Sequence, residues 1–331
     1  MRTITNGGRA AAAMVLALIL SLALAACGGS SEGTTASGGE EEGGSGSAIV
    51  SNPENGSVSL TIGSKNFPES EITGEIYAQG LEAAGYSVKT DLNLGSETVA
   101  LKTLKAGQIS GYPEYTSTAL ESLFGLEPEE VSSDATEAWE KANEEFEQEG
   151  LTAFEPTPFA SANAVGTTRE RAEDLELEKI SDLEGISEEM SLYGSPECRQ
   201  RIDCLAGLEK FYGLKFKEFK PVDIGLRYTV LENNQADLSI LFTTDPQLAG
   251  ENPKFVILED DKHVFPAGNV IFVTKKSVAE EAGPDYEKTV LQVQEGLTLP
   301  VMQELNARVE LEKETPKQVA TEYLEEEGFI G

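Results

Sequence analysis

The change of pattern at Val58 constrains the fold more than any other feature of the chain. Val58, Leu60 and Ile62 alternate as a half-buried strand does, Gly63-Ser64-Lys65-Asn66-Phe67-Pro68 breaks the alternation, and a helical period runs through Ile72, Ile76 and Ala83 to Gly85. The grammar continues with a strand over 86–94, a helix opened by Ser96 that carries Val99 and Leu104, and a strand into Tyr112. After an acidic helix around Trp139 it recurs, with strands near 162–167, 190–193 and 238–242 and helices near 205–212 and 227–233. Strands separated by helices make a parallel sheet covered on both faces. The expectation is therefore an α/β chain with two such units, and a helical segment over 285–328 packed on one of them.

What precedes Val58 has a different character. Residues 1–26 carry Arg2 and Arg9, no acid, and an unbroken run of apolar and small residues from Ala10 that stops at a cysteine. This is the grammar of an export signal. Leu24-Ala25-Ala26-Cys27 matches the bacterial lipobox, in which Cys27 is acylated and becomes the new N-terminus. A transmembrane helix is the competing reading, but the apolar core is shorter than the ~20 residues a bilayer crossing needs. Residues 28–57 are mostly Gly, Ser, Glu, Thr and Asn and cannot bury enough surface to fold. With Cys27 they read as a tether whose root-mean-square reach is roughly 30 Å. The expected placement is thus outside the cell membrane, held to its outer face by lipid.

A net charge of −33, to which the signal contributes only Arg2 and Arg9, opposes binding to phosphate backbones or anionic headgroups. Nucleic acid is excluded as a partner, and membrane attachment is left to the lipid. Once Cys27 is acylated, Cys198 and Cys204 remain. In an exported protein an isolated close pair is expected to be a disulfide. A regular helix would hold positions six apart about 9 Å from each other, beyond bridging distance, so a turn is expected between them. Zinc would need further ligands, and His263 is the only histidine, so no metal is expected.

Two segments carry candidate chemistry. The loop from Gly63 to Phe67 ends a strand and opens a helix, which points backbone N–H groups and the Lys65 ammonium at the crevice above the carboxyl edge of the sheet, a setting that suits an anionic group. Tyr112-Pro113-Glu114-Tyr115-Thr116-Ser117-Thr118 again runs from strand end to helix start and offers rings and hydroxyls together. Taken alone, that second segment is also what a packed tyrosine and a capping threonine look like.

Together, Ile62-Gly63-Ser64-Lys65-Asn66-Phe67 and the Tyr112–Thr118 segment resemble the glycine betaine, choline and carnitine binding lipoproteins of osmoprotectant ABC importers. The resemblance extends through Pro196-Glu197, Arg201 and Asp203, Gly207-Leu208 to Tyr212-Gly213, Leu226-Arg227-Tyr228, Thr243-Thr244-Asp245 and residues 258–265. It implies a two-lobe periplasmic-binding-protein fold of type II, two parallel-sheet lobes joined by two crossover strands. Lobe I would comprise residues 58–161 plus 266–331 and lobe II residues 162–265. It also implies a ligand whose carboxylate meets Lys65, Thr118 and Arg201 and whose quaternary ammonium sits among rings, since ring faces attract a cation that cannot donate hydrogen bonds. Tyr115 matches one cage tyrosine and Phe242 replaces a second. Asn163 stands at a third position and Ala267-Gly268 follow Phe265-Pro266 where a fourth ring is usual. Tyr112, Tyr193, Tyr228 and Phe265 are the candidates to complete the cage.

No nucleophile with a base, metal cluster or pair of acids in apolar surroundings supports an enzyme, and no cofactor is expected. The leading expectation is a monomeric, lipid-anchored receptor that hands a small osmoprotectant to ABC permease and ATPase subunits. The alternative is the same clamp with a different small zwitterion or anion, because the cage departs from the pattern. A third class reuses the fold as a surface adhesin or sensor.

Overall fold

The structure, a computed structural model, describes residues 47–250 and 252–331. The signal peptide, the Cys27 acylation site and the tether up to residue 46 lie outside the described residues. Residues 47–57, expected as tether, are instead docked on the fold. Pro53–Ser57 forms a 3-10 turn capped by Asn52. Asn55 donates to Ala84 O at 2.9 Å, Asn52 to Asp285 Oδ2 at 2.8 Å, and the Ile49 N–H to Phe329 O at 2.9 Å. Low apolar content misled here because asparagine side chains anchor the backbone by hydrogen bonds.

Among the described residues, eleven strands form two sheets. In the first lie β1 (Ser59–Gly63), β2 (Ser87–Asp91), β3 (Gly111–Tyr115), β4 (Leu151–Ala153), β5 (Ala160–Ser161) and β11 (Gly268–Lys275). Their order is β2-β1-β3-β11-β4, with β5 paired to β11. In the second lie β6 (Asn163–Thr168), β7 (Ser191–Gly194), β8 (Glu218–Pro221), β9 (Leu238–Phe242) and β10 (Phe255–Ile257), in the order β10-β6-β9-β7-β8.

The expected parallel sheets are mixed. β2, β1 and β3 run parallel, as do β8, β7 and β9, but β11 is antiparallel to β3 and β4, and β6 is antiparallel to β9 and β10. The reason is topological. A strand delivered by a βαβ crossover re-enters in the same direction, whereas β6 and β11 arrive directly from the other sheet and take the direction of that crossing. The crossings run side by side: Gly268 pairs with Ser161 and Asn269 with Ala160.

α1 (Pro68–Ala83) starts where Phe67 holds extended backbone and Pro68 presets the first turn, with Glu69 and Glu71 at its positive end. Its Ile72, Ile76, Tyr77 and Leu81 join Leu60, Ile62, Phe272 and Tyr286 in one core. Gly85, at φ +102°, reverses the chain into β2. α2 (Glu97–Lys105) sends Ala100, Leu101 and Leu104 into a core shared with Phe146 and Ile271. The C-terminal segment forms helices Pro284–Gln294, Leu299–Glu310 and Pro316–Glu326 against the first sheet's core. Around the second sheet, Leu192, Leu208, Leu238 and Ile240 pack with Cys198 and Cys204. Among the described residues, no helix is long and apolar enough to cross a membrane.

Candidate functional site

The side chains that line the site sit where strands give way to helices, loops or the crossing segments, because those ends leave the sheet's backbone pairing and face the gap between the sheets. Lys65 and Phe67 follow β1, Tyr115 ends β3, and Thr118 lies in the helical turn after it. From the other side come Asn163 at the start of β6, Phe242 at the end of β9, Arg201 in the loop before the helix Leu205–Phe211, and Phe265 beside the return crossing. All eight line one cavity of about 470 Å³.

The rings come from both sides. Phe67 lies 6.0 Å from Tyr115 and 5.4 Å from Phe242, centroid to centroid, so Phe67 and Phe242 meet across the gap. Phe67 adds a ring to the wall that Tyr115, Phe242 and Phe265 form. Its position two residues after Lys65 in the strand-to-helix loop is the signal that could have found it. Of the four candidates to fill the cage, Phe265 lines the cavity and the three tyrosines do not. Tyr112 is fully buried in the core beneath β3, donating to Glu114 Oε2 at 3.0 Å, since strand alternation turns it away from Tyr115's neighbours. Tyr228 packs on Phe255 and donates to Asp245 Oδ2 at 2.8 Å, and Tyr193 belongs to the same small cluster.

Both basic groups face this cavity and both have acid partners. Lys65, 5 % exposed, is ion-paired with the wholly buried Glu114, which also accepts the Tyr115 N–H at 2.9 Å. The Lys65 ammonium stands 4.4 Å from the Tyr115 ring centroid and 5.6 Å from that of Phe67, so it already occupies a ring face. Arg201 grips Asp203 with two nitrogens, Nε at 2.7 Å from Oδ1 and Nη2 on Oδ2. It also reaches Glu97 Oε2 at 3.3 Å and Thr118 Oγ1 at 3.4 Å on the opposite side. Asn163 spends its amide on Asp203, 2.9 Å from the backbone O and 3.1 Å from Oδ2. Burial would raise the Glu97 carboxyl, but Arg201, Ser122 and Lys65 together hold it below the usual carboxylate range. Behind the rings, Tyr115 donates to Glu69 Oε1 at 2.6 Å and Asn306 to Oε2 at 2.8 Å, and burial raises this carboxyl despite those donors.

Arg201 and Asp203 stand inside a short loop closed by the disulfide between Cys198 and Cys204, whose Cα atoms are 5.1 Å apart. A 3-10 turn, Pro196–Arg199, and not an α-helix, brings the two sulfurs together. Among the described residues no group of His, Cys, Asp and Glu is arranged to hold a metal.

Residues 58–326 match the family described as the substrate binding domain of ABC-type glycine betaine transport systems. The chain is 34 % identical over 282 residues to the glycine-betaine-binding protein of Pseudomonas aeruginosa, covering 82 % of this chain and 88 % of that one. It is 27 % identical over 275 residues to the carnitine transport binding protein OpuCC of Listeria monocytogenes, covering 82 % and 87 %. Among solved structures, one described as a glycine betaine/carnitine/choline ABC transporter superposes with a TM-score of 0.63 at 25 % identity, covering 80 % of this chain and 97 % of that one. Two α/β sheets bridged by paired crossings are the two-lobe architecture of periplasmic substrate-binding proteins. Matched over nearly all of its folded part, this chain belongs to the family of substrate-binding domains of ABC-type glycine betaine transport systems.

Proposed function

We propose that the protein captures a small quaternary ammonium osmolyte, glycine betaine or choline, between two lobes and presents it to the permease of an ABC importer. The lobes are residues 58–161 with 266–331 and residues 162–265. The chain works outside the cell membrane as a monomer, tethered through acylated Cys27. The observation that carries this reading is a cavity walled by rings from both sheets: Phe67 and Tyr115 from one, Phe242 and Phe265 from the other. A trimethylammonium group gains from several ring faces at once and needs no hydrogen-bond acceptor. Because the rings belong to opposite sides, a cation between them favours the shut form. Thr118, Arg201 and Lys65 border the same cavity and receive the polar end of the ligand.

The altered cage positions invited a different zwitterion or a free anion. Two observations favour the quaternary ammonium over it. Phe67 and Phe265 supply rings where Asn163 and Ala267 do not, and the cavity's cations are already matched by Glu114, Asp203 and Glu97. A free anion would find no surplus positive charge. Calorimetric titration with glycine betaine, choline, carnitine, proline and common amino acids tests this. Heat with one of the first three is expected, and binding of an amino acid alone would overturn the proposal.

A further inference from the structure

Beyond the ring-lined cavity the gap between the sheets continues into a chamber that opens to solvent. Thr98, Glu121 and Ser122 wall it on one side, and Pro196, Gln200 and Ile202 on the other. Glu121 has no part in the function described above. It lies in a helical turn, Ala119–Leu123, is 4 % exposed, and neither carboxylate oxygen has solvent contact or a hydrogen-bond partner among the described residues. Its buried acidic neighbours are served: Glu97 by Ser122 and Arg201, and Asp203 by Arg201 and Asn163.

The groups around Glu121 make the ionised form worse still. Glu97 of α2 and Glu127 of the following loop share its wall, Glu197 and Arg201 face it across the chamber, and Asp203 and Asp260 act on it from the same far side. The long helix Ala135–Gln148 offers the shared core Ala138, Ala142 and Phe146, with Trp139 packed at its edge, and none of these carries a charge. Arg201 is the one cation in the set, and its guanidinium is committed to Asp203, Glu97 and Thr118. A carboxylate shut away from water without a donor, among acids, is held in its neutral form. Parting of the walls would admit water to it and restore its ordinary acidity.

We propose that Glu121 is a proton-binding site of the cleft, neutral in the shut form and ionised in the open form, so that ligand capture takes up one proton from solvent near neutral pH. The inference rests on the reading that the lobes shut around a ligand. Burial first, then Asp203, push the shut-form carboxyl up to about 9 from its ordinary 4.5, with Arg201 pulling the other way. A proton bound more tightly in the shut form favours closure at low pH, and that advantage is lost as pH rises from about 4.5 to about 9. Ligand affinity should therefore fall up to about tenfold per pH unit between about pH 6 and 8, where neither glycine betaine nor choline titrates.

Calorimetry of the full folded chain in two buffers of different ionisation enthalpy reads the proton directly. Uptake approaching one proton per ligand at pH 7 is expected for wild type and none for Glu121→Gln, which mimics the neutral acid and should keep its affinity at pH 8. No uptake by wild type, or undiminished uptake by the variant, overturns the proposal. Infrared difference spectra of wild type provide a reading that needs no variant: a carboxylic C=O band should grow on ligand addition, and its absence also overturns it. Should no quaternary ammonium bind, the functional reading fails by itself. Small-angle scattering of ligand-free protein still tests Glu121, since acid should shrink the radius of gyration of wild type and leave Glu121→Gln unmoved, and equal responses would overturn the proposal.

Discussion

At the scale of single residues, the site is organised by which charges are already paired. Phe67 is the ring that links the two sides, so its truncation should tell most about the cage. Phe67→Leu is expected to weaken choline binding about two- to thirty-fold, the range of a lost cation–π contact of ~0.5–2 kcal/mol, while Phe67→Tyr stays near wild type. Titration calorimetry checks both, and an unchanged Phe67→Leu would remove this ring from the cage. Arg201→Ala is expected to cost more affinity for glycine betaine than for choline, which has no carboxylate to pair. Equal losses would show that Arg201 acts by bridging Asp203 to Glu97 and Thr118. Motif spacing singles out Lys65, Tyr115, Thr118, Asn163, Arg201 and Phe242, and the fold brings these six to one cavity. It could not reveal that Glu114 holds Lys65 or that Tyr112 and Tyr228 turn into cores, because direction and pairing depend on partners far away in sequence.

Among the elements, the loop over 198–204 has the most leverage, because it carries Arg201 and Asp203 between its two cysteines. Closing so short a loop stabilises the fold by about 2 kcal/mol in the chain-entropy account. Cys198→Ser with Cys204→Ser should lower stability by that amount, read as a denaturation midpoint, and should weaken ligand binding as well. Full affinity in the double variant would mean that packing alone fixes Arg201. The same loop leans on Gly207, where an added Cβ would stand 1.9 Å from Ile202 O. Gly207→Ala must therefore displace the backbone next to Arg201 and should cost ~1–3 kcal/mol of stability together with affinity. The turn between the cysteines and the helix Leu205–Phe211 were readable from spacing and period. β11 carries no alternating signal in the sequence. It is buried along most of its length, so Val270, Ile271, Phe272 and Val273 form a continuous apolar run in place of the alternation that marks a half-buried strand.

For the whole molecule, the excess of acids decides how stability responds to pH. With a net charge of −33 near neutrality, the folded chain repels itself, and protonating surface carboxylates relieves that strain. Two buried carboxyls act in the same direction. Glu69 and Glu121 are raised by burial above their unfolded value of 4.5, so the stability they contribute is complete below that value and is lost as pH climbs through their folded values, about 9 for Glu121. Glu97 acts oppositely: Arg201 and Ser122 outweigh its burial and depress it, so its contribution holds above 4.5 and is lost as pH falls below. The sum places the stability maximum in mildly acidic solution, near pH 5–6, with decline on both sides. Thermal midpoints taken from about pH 4 to about pH 9 at constant ionic strength would show it, and a maximum at pH 8 would mean that neither self-repulsion nor the buried acids govern the fold. Raising sodium chloride from about 0.01 M to about 1 M shortens the screening length from about 30 Å to about 3 Å. That should lift the midpoint at pH 8 far more than at pH 5, because screening can relieve only the repulsion that protonation has not already removed.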